Sequence, residues 1–276
     1  MNTLKSVKDI DLSGRKVLLR LDLNAPLKDG EVANDARLRA ALPTIRYVLE
    51  HAGAVALASH LGRPKGKANP DFSLEPVGRR LSELLEMEVL LADNCIGDSV
   101  GALLADARPK SVILLENLRF HAGEEGNDPS FCDALAALGD IYVNDAFSAA
   151  HRAHASTDGL ARRLPAAAGR LMQAELEALE RALGAPARPV MAVVGGAKVS
   201  TKLDLLGNLV GKVDDLVIGG GMANTFLFAR GAEIGASLAE RDLAETAREI
   251  EARAATAGCR IHLQSDAVVA GELAVG

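Results

Sequence analysis

Short apolar runs alternate along the first half of this chain with longer stretches in which apolar residues recur at helical spacing. The short runs are typical of buried strands, and the longer stretches are typical of amphipathic helices. We predict strands at residues 16–21, 54–59, 89–91, 112–115 and 141–144, with helices at residues 38–52 and 74–85 among the segments between them. Strands that alternate with helices indicate a parallel sheet covered by helices.

The second half continues the same pattern with fewer elements. An amphipathic helix is predicted at residues 171–183, where Leu176, Leu179 and Leu183 share one face. After it we predict a strand ending at Gly195 and further strands at residues 214–218, 260–263 and 267–270, with a long helix at residues 239–257. A doubly wound domain is normally built from two βαβαβ halves, and only about one half is present here.

Composition narrows the class of protein. The chain has 276 residues, a net charge of -6 and 3% aromatic residues without tryptophan, so its cores must be built from Ala, Val, Leu and Ile. An acidic balance argues against a general affinity for nucleic acid or for anionic membranes. Three scattered cysteines, a polar amino terminus and the lack of any run of ~18 apolar residues predict a cytoplasmic protein.

A glycine pair lies within residues 190–205, where an apolar run gives way to a helical pattern. Gly195 and Gly196 are followed by Lys198 and Lys202. Glycines between a strand and a helix let backbone N–H groups approach a phosphate, and the helix amino terminus favours the anion. The stretch therefore predicts a phosphate site. An ordinary turn, with both lysines solvated on one helical face, is the alternative.

Polar residues follow four of the predicted strands directly, and Arg37 precedes the helix after the first strand. The strand-end residues are Asp22, Asn24, His60, Arg63, Asn117, Arg119, Asp145, His151, Arg152 and His154. Ligands of open α/β sheets bind outside the carboxyl ends of the strands, so we expect these side chains to converge. Guanidiniums and imidazoles around one Asp and one Asn suit a small, multiply charged anion such as a phosphorylated hydroxy acid. Any single member taken alone is more readily explained as a solvated or loop-capping residue.

Six short blocks contain most of these residues. In chain order they are Arg20-Leu21-Asp22-Leu23-Asn24-Ala25-Pro26, Ser59-His60-Leu61-Gly62-Arg63-Pro64, Glu116-Asn117-Leu118-Arg119-Phe120, Asp145-Ala146-Phe147 with His151-Arg152-Ala153-His154, Gly195-Gly196-Ala197-Lys198-Val199 and Gly219-Gly220-Gly221-Met222-Ala223. Together they closely resemble the phosphoglycerate kinase family, and the resemblance extends over the whole chain. Six blocks in the family's order are far more specific than one glycine motif.

The resemblance implies a fold and an activity. It implies two Rossmann-like three-layer α/β/α domains with parallel sheets, the second incomplete. Residues 1–168 would bind 3-phosphoglycerate, residues 169–188 would form the interdomain helix and linker, and residues 189–276 would form a partial nucleotide-binding domain. The implied reaction is phosphoryl transfer between ATP and 3-phosphoglycerate in glycolysis, with ATP or ADP and Mg²⁺. The implied partners are these small molecules, with no nucleic acid or membrane, and a monomer that closes its two domains.

The resemblance also assigns roles to individual residues. The 3-phosphoglycerate ligands would be Asp22, Asn24, Arg37, His60, Arg63, Arg119 and Arg152. The catalytic residues would be Arg37, closest to the transferring phosphoryl group, and Lys198, which neutralises charge on that group. The nucleotide-binding residues would be Gly196, Lys198, Lys202, Gly219 and Gly220.

The second half departs from the family pattern. The resemblance implies an acidic residue and a Gly-Gly-Gly-Asp type loop on magnesium and the nucleotide phosphates, but the triple glycine here is followed by Met222. No metal ligand is therefore predicted within this sequence. A smaller departure is Ser148-Ala149-Ala150, where many members have Gly-Thr-Ala; Arg152 stays in place.

Two function hypotheses follow. The first is a phosphoglycerate kinase sequence given as an incomplete chain that is inactive by itself. The second is a non-catalytic module that retains only 3-phosphoglycerate binding. A nicotinamide dehydrogenase is a weaker third hypothesis, because neither glycine cluster fits Gly-x-Gly-x-x-Gly. The Walker pattern also fails, since no spaced glycine pair precedes Lys198.

Overall fold

The chain divides into two compact units, Met1–Glu177 and Ala178–Gly276. The computed structural model describes residues 5–271, so the predicted outer bounds of the two domains, at residues 1 and 276, lie outside the described part. Within that part, no helix is both long enough and apolar enough to span a bilayer.

A six-stranded parallel sheet forms the centre of the first unit. Its strands are β1 (Lys16–Arg20), β4 (Ala54–Ala58), β5 (Val89–Leu91), β6 (Val112–Leu114), β7 (Ile141–Asn144) and β8 (Ala166–Ala168). Their order across the sheet is β5-β6-β4-β1-β7-β8. A separate antiparallel hairpin joins β2 (Leu27–Lys28) to β3 (Glu31–Val32). The helices of this unit are α1 (Ala36–His51), α2 (Glu75–Leu85), α3 (Asp98–Ala105), α4 (Ala122–Glu125), α5 (Pro129–Ala136) and α6 (Phe147–Ala150). Helix α7 (Arg170–Leu179) begins in this unit, and its last two residues belong to the second unit.

Helices cover both faces of this sheet because successive strand residues point to opposite sides. On β1, Val17 and Leu19 belong to one apolar core, which includes Ile45 of α1. Leu18 belongs to the other core, with Leu135 of α5. Burial of each such side chain contributes roughly 1.5–3 kcal/mol. A strand apolar on both faces is stable only between two helical layers, so the first unit has three layers.

The second unit has a three-stranded parallel sheet in the order β11-β10-β9. Its strands are β9 (Met191–Gly195), β10 (Asp215–Gly219) and β11 (Arg260–His262), and its helices are α8 (Leu203–Leu209), α9 (Gly221–Ala229) and α10 (Ala244–Ala257). Leu206, Leu216 and Phe226 lie in the core between the helices and one face of the sheet. On the other face Val193 remains 73% exposed. The prediction of parallel α/β units, the second incomplete, is confirmed.

Several predicted element bounds are wrong. Residues 267–270 form no strand, and Val268 and Val269 are fully or nearly fully exposed. Their β-branched side chains favour a strand only where a neighbouring strand offers packing. Helix α10 begins at Ala244 rather than at residue 239, because Arg241–Leu243 form a turn of 3-10 helix and the Glu240 N–H donates to Thr225 Oγ1 at 3.0 Å instead of to a helical carbonyl. The strand β8 and the hairpin were not predicted.

The first turn of α7 is capped by side chains from elsewhere in the first unit. Thr44 Oγ1 accepts a hydrogen bond from the Arg170 N–H at 3.1 Å, and Asp145 Oδ1 accepts one from the Met172 N–H at 3.0 Å. These contacts satisfy amides that a helix leaves unpaired at its amino end. Burial raises the pKa of the Asp145 carboxyl above its ordinary value, although hydrogen bonds from the Thr44 hydroxyl and from the backbone amides of Met172 and Leu171 oppose the rise. Asp145 therefore supports the helix instead of joining the predicted anion pocket.

Helix α8 offers a matched test of this packing. Leu206 is fully buried and the adjacent Leu205 is 46% exposed. We expect Leu206→Ala to lower the free energy of unfolding by about 2–5 kcal/mol through lost packing and cavity formation, and Leu205→Ala by less than about 1 kcal/mol. Urea unfolding followed by circular dichroism measures both. Equal losses of stability in the two variants would contradict the orientation of α8, in which Leu206 is buried and Leu205 is exposed.

Candidate functional site

The loops that follow β6, β4, β1 and β7 lie side by side in the first unit. These four strands are consecutive in the sheet and all pair in parallel, so their carboxyl ends share one edge. The chain moves to one side of β1 through α1 and reaches the other side at β7, which makes the edge between them a topological switch point. The residues predicted to form an anion pocket follow these strands at this edge.

The Asp22 carboxylate is fixed just beyond β1 by groups from two other segments. Arg37, in the first turn of α1, forms an ion pair and hydrogen bond with Oδ2, and Ser148 Oγ donates to the same oxygen at 2.5 Å. Partial burial opposes ionisation, but the hydrogen bonds from Ser148 and Arg37 outweigh it, and the pKa of Asp22 lies below its ordinary value. Asp22 is therefore an ionised acceptor at neutral pH, and half of the Arg37 side chain remains exposed.

Gly62 joins three of the loops through its backbone. Its N–H donates to Asn24 Oδ1 at 3.0 Å, and its carbonyl accepts from Arg119 Nη1 at 2.8 Å. Its φ of +59° is disfavoured for residues with a side chain, and a Cβ at this position would lie 2.4 Å from the Phe72 ring. Glycine is therefore required here, and Asn24 and Arg119 are oriented by the turn that it makes.

His60 lies buried after β4, with its Nδ1 atom 3.0 Å from Arg20 Nη2. Burial, followed by the positive charges of Arg20 and Arg119, lowers the pKa of His60 to about 3. The imidazole is therefore neutral across the physiological range. A neutral imidazole has one donor nitrogen and one acceptor nitrogen.

Arg20 is the main residue that the sequence interpretation left without a role. It is 1% exposed at the carboxyl end of β1, where its Nε donates to Ser156 Oγ at 2.9 Å. Ser156 Oγ in turn donates to Glu124 Oε1 at 2.5 Å, and the Glu124 carboxylate is fully buried. The sequence signal for a role of Arg20 is that it is the one charged residue within the apolar run 17–21, because a buried charge needs dedicated partners.

Arg63 and Arg152 complete the set of predicted cations. Within residues 5–271, neither guanidinium has a hydrogen bond to a protein group; Arg63 is exposed and Arg152 half-buried. Burial lowers the pKa of the Arg119 guanidinium, and the charges of Arg152 and Arg20 add to that effect. The cations at this edge are Arg20, Arg37, Arg63, Arg119 and Arg152, and the carboxylates are Asp22, Glu116, Glu124, Glu125 and Asp145. Each of these carboxylates has a hydrogen-bond or ion-pair partner in the protein, whereas Arg63 and Arg152 have none among the described residues. Guanidinium groups without partners favour an anionic ligand.

Other strand-end residues support the loops. Asn117 is fully buried, and its side-chain amide donates to the carbonyls of Leu61 and Phe72 at 2.8 and 2.9 Å. His154 lies 3.9 Å from the Glu124 carboxylate, and burial lowers the pKa of its imidazole. His151 is exposed. Asn117 thus fixes the geometry of these loops through its hydrogen bonds.

In the second unit, two glycine loops lie side by side at the carboxyl ends of β9 and β10. Gly195 pairs with Gly219 in the parallel register. Gly220 has a φ of +68°, and a Cβ there would lie 2.9 Å from the Gly196 carbonyl oxygen. Gly220 is thus required for the two loops to approach each other. A Cβ on Gly219 would meet no described atom within 4 Å, so the backbone is open to a ligand at that point.

The two predicted lysines differ in their surroundings. Lys202 is half-buried, and its Nζ donates to the Gly195 carbonyl at 2.5 Å. Lys198 is exposed between the glycine pair and the first turn of 3-10 helix. Nearby, Glu240 Oε1 accepts a hydrogen bond from Ser200 Oγ at 2.5 Å. Among the described residues, no group of three or more His, Cys, Asp or Glu side chains is placed to hold a metal ion.

Comparisons with known proteins identify one group of relatives. The family model described as "Phosphoglycerate kinase" matches residues 7–275. Phosphoglycerate kinases of Sinorhizobium medicae and Cereibacter sphaeroides are each 59% identical to this chain, over 275 and 273 residues; the alignments cover 99% of this chain and 69% of each relative.

Solved structures give the same result. The phosphoglycerate kinase from Coxiella burnetii matches with a TM-score of 0.84 at 44% identity, covering 94% of this chain and 66% of that protein. The enzyme from Pyrococcus horikoshii OT3 matches with a TM-score of 0.75 at 35% identity, covering 90% of this chain and 64% of that protein. The chain thus spans about two thirds of the length of these solved relatives.

The neutral state of His60 predicts a specific pH dependence of stability. Its folded-state pKa of about 3 lies below the unfolded value of about 6.5, so the unfolded chain binds one more proton between these values. The contribution of His60 to the free energy of unfolding is complete above about pH 6.5. It falls as the pH decreases, by up to about 1.4 kcal/mol per pH unit. We expect His60→Gln to remove that slope in urea unfolding between pH 4 and 6.5.

Leu61→Ala is the matched control. Leu61 is the adjacent buried residue and carries no titratable group. Its replacement should lower stability equally at every pH, giving a curve parallel to that of the wild type. A His60→Gln curve that also runs parallel would show that His60 titrates normally.

Proposed function

The chain belongs to the phosphoglycerate kinase family of glycolytic kinases, and we propose that its two units bind the two substrates of that reaction. The first unit would bind 3-phosphoglycerate, and the second would contribute to the site of ATP or ADP. Family membership favours this function over the alternative of a module that only binds 3-phosphoglycerate.

The observation that carries the proposal is the presence of guanidinium groups without protein partners at the switch point of the first sheet. The side chains of Arg63 and Arg152 have no protein partner within the described residues, and Arg119 keeps donor groups beyond its bond to Gly62 and its 3.3 Å ion pair with Glu125. A phosphate and a carboxylate on one small molecule would neutralise these cations through bidentate contacts. Their mutual repulsion without an anion makes the site selective for multiply charged ligands.

Asp22 and Asn24 would orient the substrate between its charged ends. Asp22 is an ionised acceptor fixed by two donors, so it suits the hydroxyl group of 3-phosphoglycerate. Asn24 is oriented by its bond to the Gly62 N–H, which leaves its amide group free to donate within the described structure. Arg37, half exposed at the start of α1, would contact the phosphoryl group during transfer.

The chemistry requires little from the protein beyond positioning and charge. A carboxylate oxygen of 3-phosphoglycerate attacks the γ-phosphorus of ATP, a new oxygen–phosphorus bond forms, and the bond to the β-phosphate oxygen breaks to release ADP. The attacking carboxylate is already ionised at pH 7, so no general base is needed. Lys198 and Arg37 would stabilise the charge on the transferring group. Closure of the units would exclude water.

For the nucleotide, we propose contacts from the two glycine loops of the second unit. Gly219 offers open backbone at the carboxyl edge of the sheet, Gly196 and Gly220 set the spacing of the loops, and Lys198 and Lys202 lie beside them. Magnesium would accompany the nucleotide phosphates, as is usual for Mg²⁺ at phosphoryl-transfer sites. The proposal assigns none of the described residues to the metal. We further propose a cytoplasmic monomer.

Removal of one unpaired guanidinium tests the acid-phosphate pocket. We expect Arg63→Ala to weaken 3-phosphoglycerate binding by about ten- to hundredfold, because hydrogen bonds between charged groups are lost. Isothermal titration calorimetry of this chain measures the change. Arg79→Ala is the matched control, since Arg79 is an exposed arginine on α2 with only a 3.9 Å contact to Glu75. No binding by the wild type, or equal affinities for both variants, would overturn the assignment of this pocket to 3-phosphoglycerate.

A second pair of variants tests the nucleotide site. Lys198→Ala should weaken ADP binding by about fivefold at low ionic strength, because an exposed charge close to the phosphates is removed. Lys212→Ala should have no effect, since this exposed lysine precedes β10 and so lies at the amino end of that strand. Fluorescence titration with a labelled ADP gives both affinities. Failure of every variant and of the wild type to bind would exclude a nucleotide site on the second unit.

A further inference from the structure

A buried series of hydrogen bonds runs behind the proposed 3-phosphoglycerate pocket from Glu124 to His60. The Ser156 N–H and Oγ donate to the two Glu124 carboxylate oxygens at 2.9 and 2.5 Å. Arg20 Nε donates to Ser156 Oγ at 2.9 Å, and Arg20 Nη2 contacts His60 Nδ1 at 3.0 Å. Arg20, Ser156 and Glu124 are each at most 1% exposed. Glu124, Ser156 and Arg20 are therefore enclosed by the protein, and His60 is the member of the series that lies at the proposed site.

The chemistry of arginine determines the direction of every bond in this series. A guanidinium has five N–H donors and no acceptor, and it keeps its proton in proteins. His60 Nδ1 must therefore be the acceptor of the bond from Arg20. The single imidazole proton then lies on Nε2, and within residues 5–271 this atom has no hydrogen bond to the protein.

We propose that Arg20, held by Ser156 and Glu124, is a positioning residue that fixes His60 in its neutral Nε2–H tautomer, so that the ring donates a hydrogen bond to the substrate anion. The inference rests on the proposed function for the identity of the anion. It adds Arg20, Ser156 and Glu124 to the residues on which substrate binding depends, although none of them contacts the substrate.

The tautomer matters because the two forms have opposite effects on an anion. With the proton on Nε2 the ring attracts a phosphate or carboxylate oxygen, whereas with the proton on Nδ1 it would present a lone pair and repel that oxygen. The charged groups that face His60 are Arg20, Arg119, Arg152 and Asp22. Three of these are cations, so a third state with both nitrogens protonated is disfavoured.

A purely structural explanation of Arg20 makes a different prediction. If Arg20 only neutralises the buried Glu124, then any buried cation of similar length would serve, and lysine would replace it. If Arg20 positions His60, then lysine fails, because one ammonium group cannot reproduce the rigid fork that reaches Ser156 and His60 together. Arg20→Lys therefore separates positioning from neutralisation.

The first measurement is the tautomer itself, read from ¹⁵N shifts of the histidine ring in long-range ¹H–¹⁵N spectra, with His60 assigned by its loss in His60→Gln. We expect a protonated Nε2 and an unprotonated Nδ1 throughout pH 5–8 in the wild type. In Arg20→Lys and Ser156→Ala we expect shifts that indicate mixed tautomers. A wild type with the proton on Nδ1, with both nitrogens protonated, or with mixed tautomers would overturn the proposal.

Tyr142→Phe is the control for loss of packing. The Tyr142 hydroxyl donates to the Ser156 carbonyl at 2.8 Å, in the same buried cluster, and within residues 5–271 it has no hydrogen bond to Arg20 or His60. Its removal should leave the His60 shifts unchanged. If Arg20→Lys does not fold, as judged by circular dichroism, Ser156→Ala decides the outcome. Wild-type shifts in that variant would show that Ser156 does not hold Arg20 in place.

The second measurement is 3-phosphoglycerate affinity by calorimetry. We expect about tenfold weaker binding in Arg20→Lys and a change of less than about twofold in Tyr142→Phe. Unchanged affinity in Arg20→Lys with an altered tautomer would overturn the positioning role. A fixed Nε2–H tautomer in a wild type that does not bind 3-phosphoglycerate would instead refute the proposed function and leave the tautomer assignment in place.

Discussion

Parallel pairing of β6, β4, β1 and β7 is the constraint on which the site in the first unit depends. Each strand is held between two neighbours by backbone hydrogen bonds, so its carboxyl end cannot shift without breaking the register with both. The loops therefore start from fixed points and need only a few residues to bring their polar groups together. The Gly62 turn, with bonds to Asn24 and Arg119, is one result of that arrangement.

Buried charge is the second requirement of this site. Arg20 and Glu124 are removed from water, which is costly unless every donor and acceptor finds a partner. Ser156 lies between them and bonds to both, so the two charges are joined through one hydroxyl rather than by direct contact. The outer cations, Arg63 and Arg152, keep their donors available because the hydrogen bonds needed by the buried Arg20 and Glu124 are already supplied through Ser156. The buried charges Arg20 and Glu124 are thus held in place by their partners, and the outer guanidiniums remain available to a ligand.

The sequence predicted more of the fold than of its boundaries. The strands at residues 89–91 and 141–144 were located to the residue, because each apolar run begins directly after an acidic residue, Glu88 or Asp140. Strand β8 was missed because its three alanines carry no preference for a strand and are ordered only by pairing with β7. The false strand at residues 267–270 shows the reverse error, since β-branched residues do not form a strand without a partner.

Candidate site residues were predictable where a polar side chain follows a strand directly. Asp22, Asn24, His60 and Arg119 were found in this way, and their contacts lie at one sheet edge. Arg20 was not given a role, because its partner Ser156 lies 136 residues away and no local pattern joins them. Asp145 was grouped with the pocket for the same reason, since its contact with α7 is visible only in three dimensions. The ligand roles of all these residues, and those of Arg63 and Arg152, stay predictions.

The contact between the glycine loops of the second unit limits how its sequence can vary. A Cβ on Gly220 would lie 2.9 Å from the Gly196 carbonyl oxygen, and a Cβ on Gly221 would lie 2.7 Å from that of Ala197. Most tight contacts in proteins can accommodate a larger residue if its neighbour becomes smaller. Here the obstacle is backbone, which has no smaller alternative, so no compensating substitution exists. Gly220 and Gly221 should therefore each be invariant in related sequences, and neither should covary with another position.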